Sequence, residues 1–412
     1  MSDAMELLND PEVIECPFGL YSLILENEPV VDIPGVGVLV TRHEDIQEVT
    51  RHPELYSSAY STGFASTGLS INPRPPLVDE ILAQGYPEVQ ALIFTDDPVH
   101  RRHRGLVSQG FTPRRVEQMS DTVRAIATEL IDRFAGRGSV ELFTEFATPL
   151  PLTVISDALG VPRRDAAIFK GWSDAVMALV GRLVPDDEYM AVAQQLLDFQ
   201  RYFAVLIDER AADPRDDLLT DLVKAEMEGE HPLSKSELLN IITQLLVAGN
   251  ETTANALCAG MLLLMEQPEL RARVTAEPAL IPNLVEEVLR LESPIQGFPR
   301  MATEDTELGG VKIAKGSRVI LMYGAGNRDA REFACPDQVD LDRSNLRSHL
   351  AFSHGPHHCM GAALARAELR ISFELLLGRL PNLRPAVGFV AEHKPSLMVR
   401  GLKELQLAFD PR

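Results

Sequence analysis

Cys359 is the residue of this 412-residue chain whose setting promises the most chemistry. It closes a run, Phe352-Ser-His-Gly-Pro-His-His-Cys359-Met-Gly361, that is rich in Gly, Pro and His and leads into an apolar helical pattern. Unpaired N–H groups at a helix start favour negative charge, so the thiol is expected to ionise readily, and the thiolate is the form that binds metals. A second anomaly is Ala248-Gly249-Asn250-Glu251-Thr252-Thr253, set inside the longest helical pattern of the chain. Glycine costs up to about 1 kcal/mol against alanine there. A mid-helix hydroxyl can bond the carbonyl one turn back and open a groove, beside which an acid and an alcohol could relay protons. Glu287 and Arg290 share one helix face, although Glu286 and Arg290 would pair equally well at the surface. His349, His354, His357, His358 and Cys359 are also potential zinc ligands, but three are consecutive and no second pair follows at zinc-finger separation.

Phe352, Gly355, His357, Cys359 and Gly361 match the pattern F-x-x-G-x-H-x-C-x-G, and Ala248 to Thr253 match [AG]-G-x-[DE]-T-[TS]. With Glu287-x-x-Arg290 between them, these motifs make the chain resemble the cytochrome P-450 monooxygenases, in particular the soluble bacterial members served by a ferredoxin. The resemblance implies a mainly-α P-450 fold holding haem b, with Cys359 as axial ligand of the iron. It gives Thr252 the task of stabilising iron-bound peroxide and Glu251 that of delivering protons. Glu287 and Arg290, joined by Arg343 from the irregular segment after Asn327, would brace the cysteine loop through charge-assisted bonds. The haem propionates would fall to His100 and Arg104, an H-x-x-x-R pair, and to Arg300 and His357, with Phe352, Gly361 and Ala248 also lining the cofactor. Oxygen is then co-substrate, and NAD(P)H supplies electrons through a ferredoxin reductase and a ferredoxin. A haem-thiolate peroxygenase or isomerase, or a non-catalytic haem sensor, would share the loop without needing the Glu251-Thr252 relay.

The same resemblance assigns a largely apolar substrate pocket to Gln244, Leu245, Val247, Ala248, Ile295, Phe298, Leu397 and Met398, pointing to a terpenoid, steroid or aromatic molecule. Gln244 would either bond a substrate oxygen or turn to solvent. Arg101, Arg102, Arg104, Arg114 and Arg115 lie in a stretch from His100 to Arg115 that contains no acid. That stretch is either a solvated face or a docking patch for an acidic electron carrier.

Several elements must position these residues. Ser234 with Glu237 three residues on forms a capping box for a helix to Gln267, closed by Pro268, that would span roughly 50 Å. Shorter helices are expected over Val116 to Phe134, Arg163 to Val180, Glu188 to Ala211, Pro282 to Glu292 and Ala362 to Leu380. Asp97-Pro98 reads as a helix start with Asp as cap and Pro in the first turn. Val30 to Thr41 and Val311 to Tyr323 carry strand material. Together these give one domain over 1–412, β-rich at about 28–60 and 295–325 and helical elsewhere. Ser57 to Pro76 reads as a long functional loop and Gly181 to Asp187 as a connection.

The remaining composition sets limits. A 45% hydrophobic content supports a large core, and a net charge of −21 argues against nucleic acid or an anionic membrane as partner. Met1 to Pro17 is acidic, without the cationic flank of a secretory signal or anchor. The four cysteines form no C-x-x-C pair, so a reducing, cytoplasmic location is expected, with the chain acting as a monomer.

Overall fold

The computed structural model describes residues 10–60, 74–179 and 184–411. Most of the expected Ser57 to Pro76 loop, the start of the Gly181 to Asp187 connection and the first nine residues lie outside the described residues. The chain forms two compact units, each discontinuous in sequence. One comprises Met1–Tyr56, Ser120–Pro151 and Glu251–Arg412, the other Ser57–Met119 and Leu152–Asn250.

The first unit carries the Cys359 loop on a mixed scaffold. Strands Val30–Ile33 and Gly37–Val40 form an antiparallel hairpin in register Val30 with Val40, and Gly37–Val40 then runs parallel to Arg318–Leu321, which pairs antiparallel with Phe298–Ala302. Gly37 is required at that junction. Its φ is +129°, and a Cβ there would come within 2.5 Å of the Arg318 carbonyl oxygen. Buried Val38, Val40, Val319 and Leu321 pack with Ile46, Val49 and Leu350, while the alternating Leu39 and Ile320 are buried in a second cluster with Tyr21 and Leu25. Helices Ile281–Glu292 and Ala362–Arg379 bring the acids and arginines discussed below into the interior. A second sheet, Ser139–Glu141 with Gln406–Ala408 and Arg384–Pro385, corrects the assignment of everything outside 28–60 and 295–325 to helix. Its strands are too short to show an alternating pattern in the sequence.

In the second unit the apolar faces of helices Pro76–Leu82, Ala166–Met177 and Asp186–Ala212 close around Phe94, Val176, Tyr189 and Val192. Several boundaries differ from the sequence reading by a few residues. Arg163–Asp165 is a 3₁₀ turn ahead of Ala166–Met177, and the helix after Asp97-Pro98 spans Val99–Val107 with Pro98 in the cap position. Asp97 Oδ1 accepts from the Arg101 amide at 3.1 Å, one residue out of step with the expected cap.

The long helix, Lys235–Glu266, contributes its first half to the second unit and its second half to the first. Its capping box is in place: the Ser234 amide donates to Glu237 Oε2 at 2.7 Å, and the Glu237 amide donates to Ser234 Oγ at 3.3 Å. The helix continues through Ala248 to Thr253.

Candidate active site

The loop that carries Cys359 is held from several sides within the first unit. The Cys359 amide donates to the Phe352 carbonyl at 2.8 Å, and the Cys359 carbonyl accepts from Ala362, the first residue of the following helix, at 3.4 Å. His354 Nδ1 lies 3.0 Å from Thr50 Oγ1, and the Tyr323 hydroxyl is 2.9 Å from Ser353 Oγ. Gly355 has φ +68°, and a Cβ there would meet the Thr50 carbonyl at 2.6 Å, which explains the glycine. Phe352 is buried while Cys359 is exposed, so the loop anchors its aromatic end and presents its thiol.

Glu287, Arg290 and Arg343 come together in the interior of the first unit. Glu287 Oε1 accepts from Arg290 Nε at 2.7 Å and Arg343 Nε at 3.2 Å, while Oε2 accepts from Arg290 Nη2 at 2.9 Å and the Asp340 amide at 2.8 Å. The remaining guanidinium donors reach the carbonyls of Asn327, Pro336 and Gln338 from Arg290 and of Ala334 and Gln338 from Arg343. All three side chains are buried, so the desolvation cost is met by near-complete pairing. Glu286, which the sequence offered as a surface partner of Arg290, is buried instead. It accepts from Arg366 at 2.7 and 2.9 Å and lies 3.0 Å from His349 Nε2. Burial alone would raise its pKa, but His349 and Arg366 bring it down to about 2. The Arg366 guanidinium also lies 4.5 Å from the Phe352 ring centroid, so this second brace touches the cysteine loop itself. Arg366 and His349 carried no motif in the sequence; only their coincidence in space shows the role.

In the middle of the long helix, Ala248 and Gly249 are exposed although the flanking Leu246, Val247 and Asn250 are buried. A Cβ on Gly249 would meet nothing within 4 Å, so this glycine is not explained by a packing neighbour within the chain. Glu251 is paired with Lys394, Nζ to Oε1, at 2.6 Å. Thr253 bonds the buried Glu368, whose carboxyl is pushed up by burial to about 8, with Thr253 opposing the shift. Neither Lys394 nor Glu368 was singled out in the sequence.

Among the residues proposed for the propionates, Arg300 is 5% exposed and donates to the carbonyl of Pro299 at 2.8 Å. No carboxylate pairs with it among the described residues. A buried guanidinium without an acid calls for an anion, and a propionate fits that demand. In the second unit His100 is buried, and desolvation followed by the nearby Arg104 charge lowers its pKa, favouring the neutral ring. An exposed thiol on a braced loop together with an unpaired buried cation is a donor set that suits haem, with Cys359 for the iron. Zinc is a poor alternative: no group of three His, Cys, Asp or Glu side chains converges among the described residues.

Two groups of expected residues behave differently from the sequence reading. Gln244 neither faces solvent nor keeps a free amide. Its Nε2 donates to the Ala91 carbonyl at 2.8 Å and Asn240 Oδ1 at 2.9 Å, and its Oε1 accepts from the Ile93 amide at 3.3 Å. Val247 is likewise buried in the core of the second unit, whereas Leu245, Ile295, Phe298, Leu397 and Met398 keep partial exposure. Arg102 and Arg115 are not open docking charges. Arg102 binds Glu237 at 2.7 Å and the His231 and Pro232 carbonyls, and Arg115 binds Asp216 and Asp221 at 2.7 and 2.9 Å. The acids that neutralise them lie far along the chain, which a local count of charge cannot register. Arg101 and Arg114 remain exposed.

Comparison with known proteins agrees with this geometry. The Cytochrome P450 family model matches residues 185–383. The chain is 39% identical to the mycinamicin IV hydroxylase/epoxidase of Micromonospora griseorubida, over 89% of this chain and 88% of that protein. It is 37% identical to cytochrome P450 107B1 of Saccharopolyspora erythraea, over 92% of each. The testosterone complex of CYP109E1 from Bacillus megaterium superposes with a TM-score of 0.83 at 29% identity, covering 96% of this chain and 99% of the other. Fold and sequence together define a haem-thiolate oxygenase, and the chain belongs to the cytochrome P450 family. It is a monooxygenase that uses haem b, molecular oxygen and electrons supplied through a reductase.

Proposed function

We propose that this P450 hydroxylates a hydrophobic small molecule of the terpenoid, steroid or aromatic type, taking electrons from NAD(P)H by way of a ferredoxin reductase and a ferredoxin. The observation that carries the reading is the Cys359 loop: an exposed thiol whose amide, aromatic anchor and supporting arginines are all tied down. When bound, haem supplies the activation of oxygen needed to insert one atom into an unactivated C–H bond.

The chain supplies the rest. Cys359 would hold the iron as thiolate, and Arg300, His100, Arg104 and His357 would hold the propionates. Phe352, Gly361 and Ala248 would line the macrocycle. Glu251, partly exposed, takes a proton from solvent and passes it toward the Thr252 hydroxyl. Ile295, Phe298, Leu397 and Met398 in the first unit and Leu245 in the second are the partly exposed apolar side chains assigned to the substrate, and CYP109E1 has been seen in complex with testosterone. Arg101 and Arg114 are the charges left to meet an acidic electron carrier. None of the four cysteines is in a disulfide, in keeping with a reducing cytoplasm, and no described helix is long and apolar enough to cross a membrane. We take the working unit to be a monomer.

Titrating the holoprotein with a panel of steroids, terpenoids and aromatics, while following the spin state of the haem, tests the substrate class. A shift with at least one of these and none with small polar acids supports it; the reverse pattern removes it. Normal turnover by Thr252→Ala would favour the peroxygenase or isomerase alternative, which does not need the Glu251-Thr252 relay.

A further inference from the structure

Lys394 belongs to none of the motifs, yet its ammonium donates to Glu251 Oε1 at 2.6 Å. It stands on the segment after Pro385 that leads into the last strand, and three constraints fix it. Its ammonium lies 4.4 Å from the centroid of the Phe143 ring, in the π-helical turn Phe143–Ala147. Its amide donates to the Gly401 carbonyl at 2.9 Å, folding the segment on itself beside the His393–Leu402 bridge. Its neighbour His393 is gripped by Glu15, which accepts from the His393 amide at 3.1 and 3.0 Å and lies 2.6 Å from the ring Nδ1. The helix Pro11–Glu15 and the Lys394 segment are therefore fastened together within one unit.

We propose that Lys394 is a positioning residue for proton delivery: by holding Oε1 of Glu251 it fixes the carboxylate so that Oε2 is the oxygen offered to water and to the neighbouring Thr252. The inference rests on the reading of Glu251 as proton donor. A glutamate has three side-chain torsions, and an unpinned one samples rotamers that point its carboxylate away from any single acceptor. Pinning one oxygen restricts the other to a narrow arc, which is what a proton transfer over hydrogen-bond distance requires. The pair is only partly exposed, 32% for the lysine and 17% for the glutamate, so solvent screening weakens the attachment without abolishing it. The π-helical turn supplies the aromatic face that keeps the ammonium from turning elsewhere.

The test uses the haem-loaded protein and the variants E251Q, K394M, K394R and the double variant E251Q/K394M. One readout is urea unfolding. The double-mutant cycle is expected to show a coupling of about fivefold in the unfolding equilibrium constant between positions 251 and 394. The other is NAD(P)H consumption with a heterologous plant-type ferredoxin and its reductase, in light and heavy water. E251Q and K394M are each expected to slow consumption about tenfold and to change its solvent isotope effect. The double variant should be no slower than E251Q, and K394R should recover to within about twofold of the parent. If E251Q is impaired while K394M is not, or if the K394M effect adds to that of E251Q and K394R fails to rescue it, the positioning role is overturned. If E251Q itself leaves rate and isotope effect unchanged, the reading of Glu251 as proton donor fails first and takes the inference with it, whatever the unfolding cycle shows.

Discussion

Two arginine-rich regions of this molecule look alike in composition and differ in what their charges do. Around the Cys359 loop, Arg290, Arg343 and Arg366 are spread over three elements and meet two adjacent acids, Glu287 and Glu286, in the interior. Between His100 and Arg115 the arginines are consecutive or nearly so, and the sequence read them as one patch. The structure splits that patch: Arg102 and Arg115 are committed to distant acids, and Arg101 and Arg114 are exposed. Buried guanidinium groups must be paired and therefore rigidify what they touch. Exposed ones cost little and act through their field.

The comparison can be broken most forcefully at Glu287. Replacing it by Gln leaves Arg290 and Arg343 buried without an anion, and a loss of about 3 to 5 kcal/mol in urea unfolding is expected, together with poor haem retention. A stable, haem-loaded E287Q protein would mean that the brace is dispensable. Arg366→Gln should cost less, about 2 kcal/mol, because it removes charge-assisted bonds to one acid and a contact with one ring. It also has a pH signature. Glu286 has its pKa held at about 2 against an ordinary value of 4.5, so its contribution to stability is present above the ordinary value and is lost as pH falls toward 2. Without Arg366 the loss should begin at higher pH, which circular dichroism across an acid titration would detect.

Glu368 gives the opposite sign. Its pKa is pushed up to about 8, so the folded protein holds a proton that the unfolded chain releases, and stability should fall as pH rises from 4.5 through 8. Glu368→Gln should flatten that decline in thermal unfolding scans. Arg102→Gln, on the other side of the comparison, is expected to destabilise by about 2 kcal/mol through loss of its bonds to Glu237 and two carbonyls. The smallest effect on stability, under about 0.5 kcal/mol, belongs to reversal of charge at Arg101 and Arg114. If these two face the electron carrier, stopped-flow reduction by ferredoxin should slow and lose part of its salt dependence while stability stays unchanged.

How much of this could be read from the residues depends on how local each signal is. The capping box at Ser234 and Glu237, the hairpin from Val30 and the helix after Gly361 declare themselves over a few positions, and the structure shows all three. The cysteine loop is equally local. What stayed hidden is long-range partnership. Glu286 looks like a surface residue until Arg366 and His349 close on it, Gln244 looks like a pocket amide until Ala91 and Ile93 claim it, and Lys394 has no pattern of its own. The short strands at Ser139–Glu141 and Gln406–Ala408 escaped for the same reason: pairing across the chain creates them, and their own three residues carry too little periodicity.

The central claim is that Cys359 ligates the haem iron as a thiolate. The absorption spectrum of the reduced carbonyl complex, recorded for the parent protein and for Cys359→His, tests it most directly. The account predicts the long-wavelength Soret band of thiolate ligation in the parent and its replacement by the imidazole-type band in the variant. An imidazole-type band in freshly prepared, fully folded parent protein, or a thiolate band that survives the substitution, would contradict it.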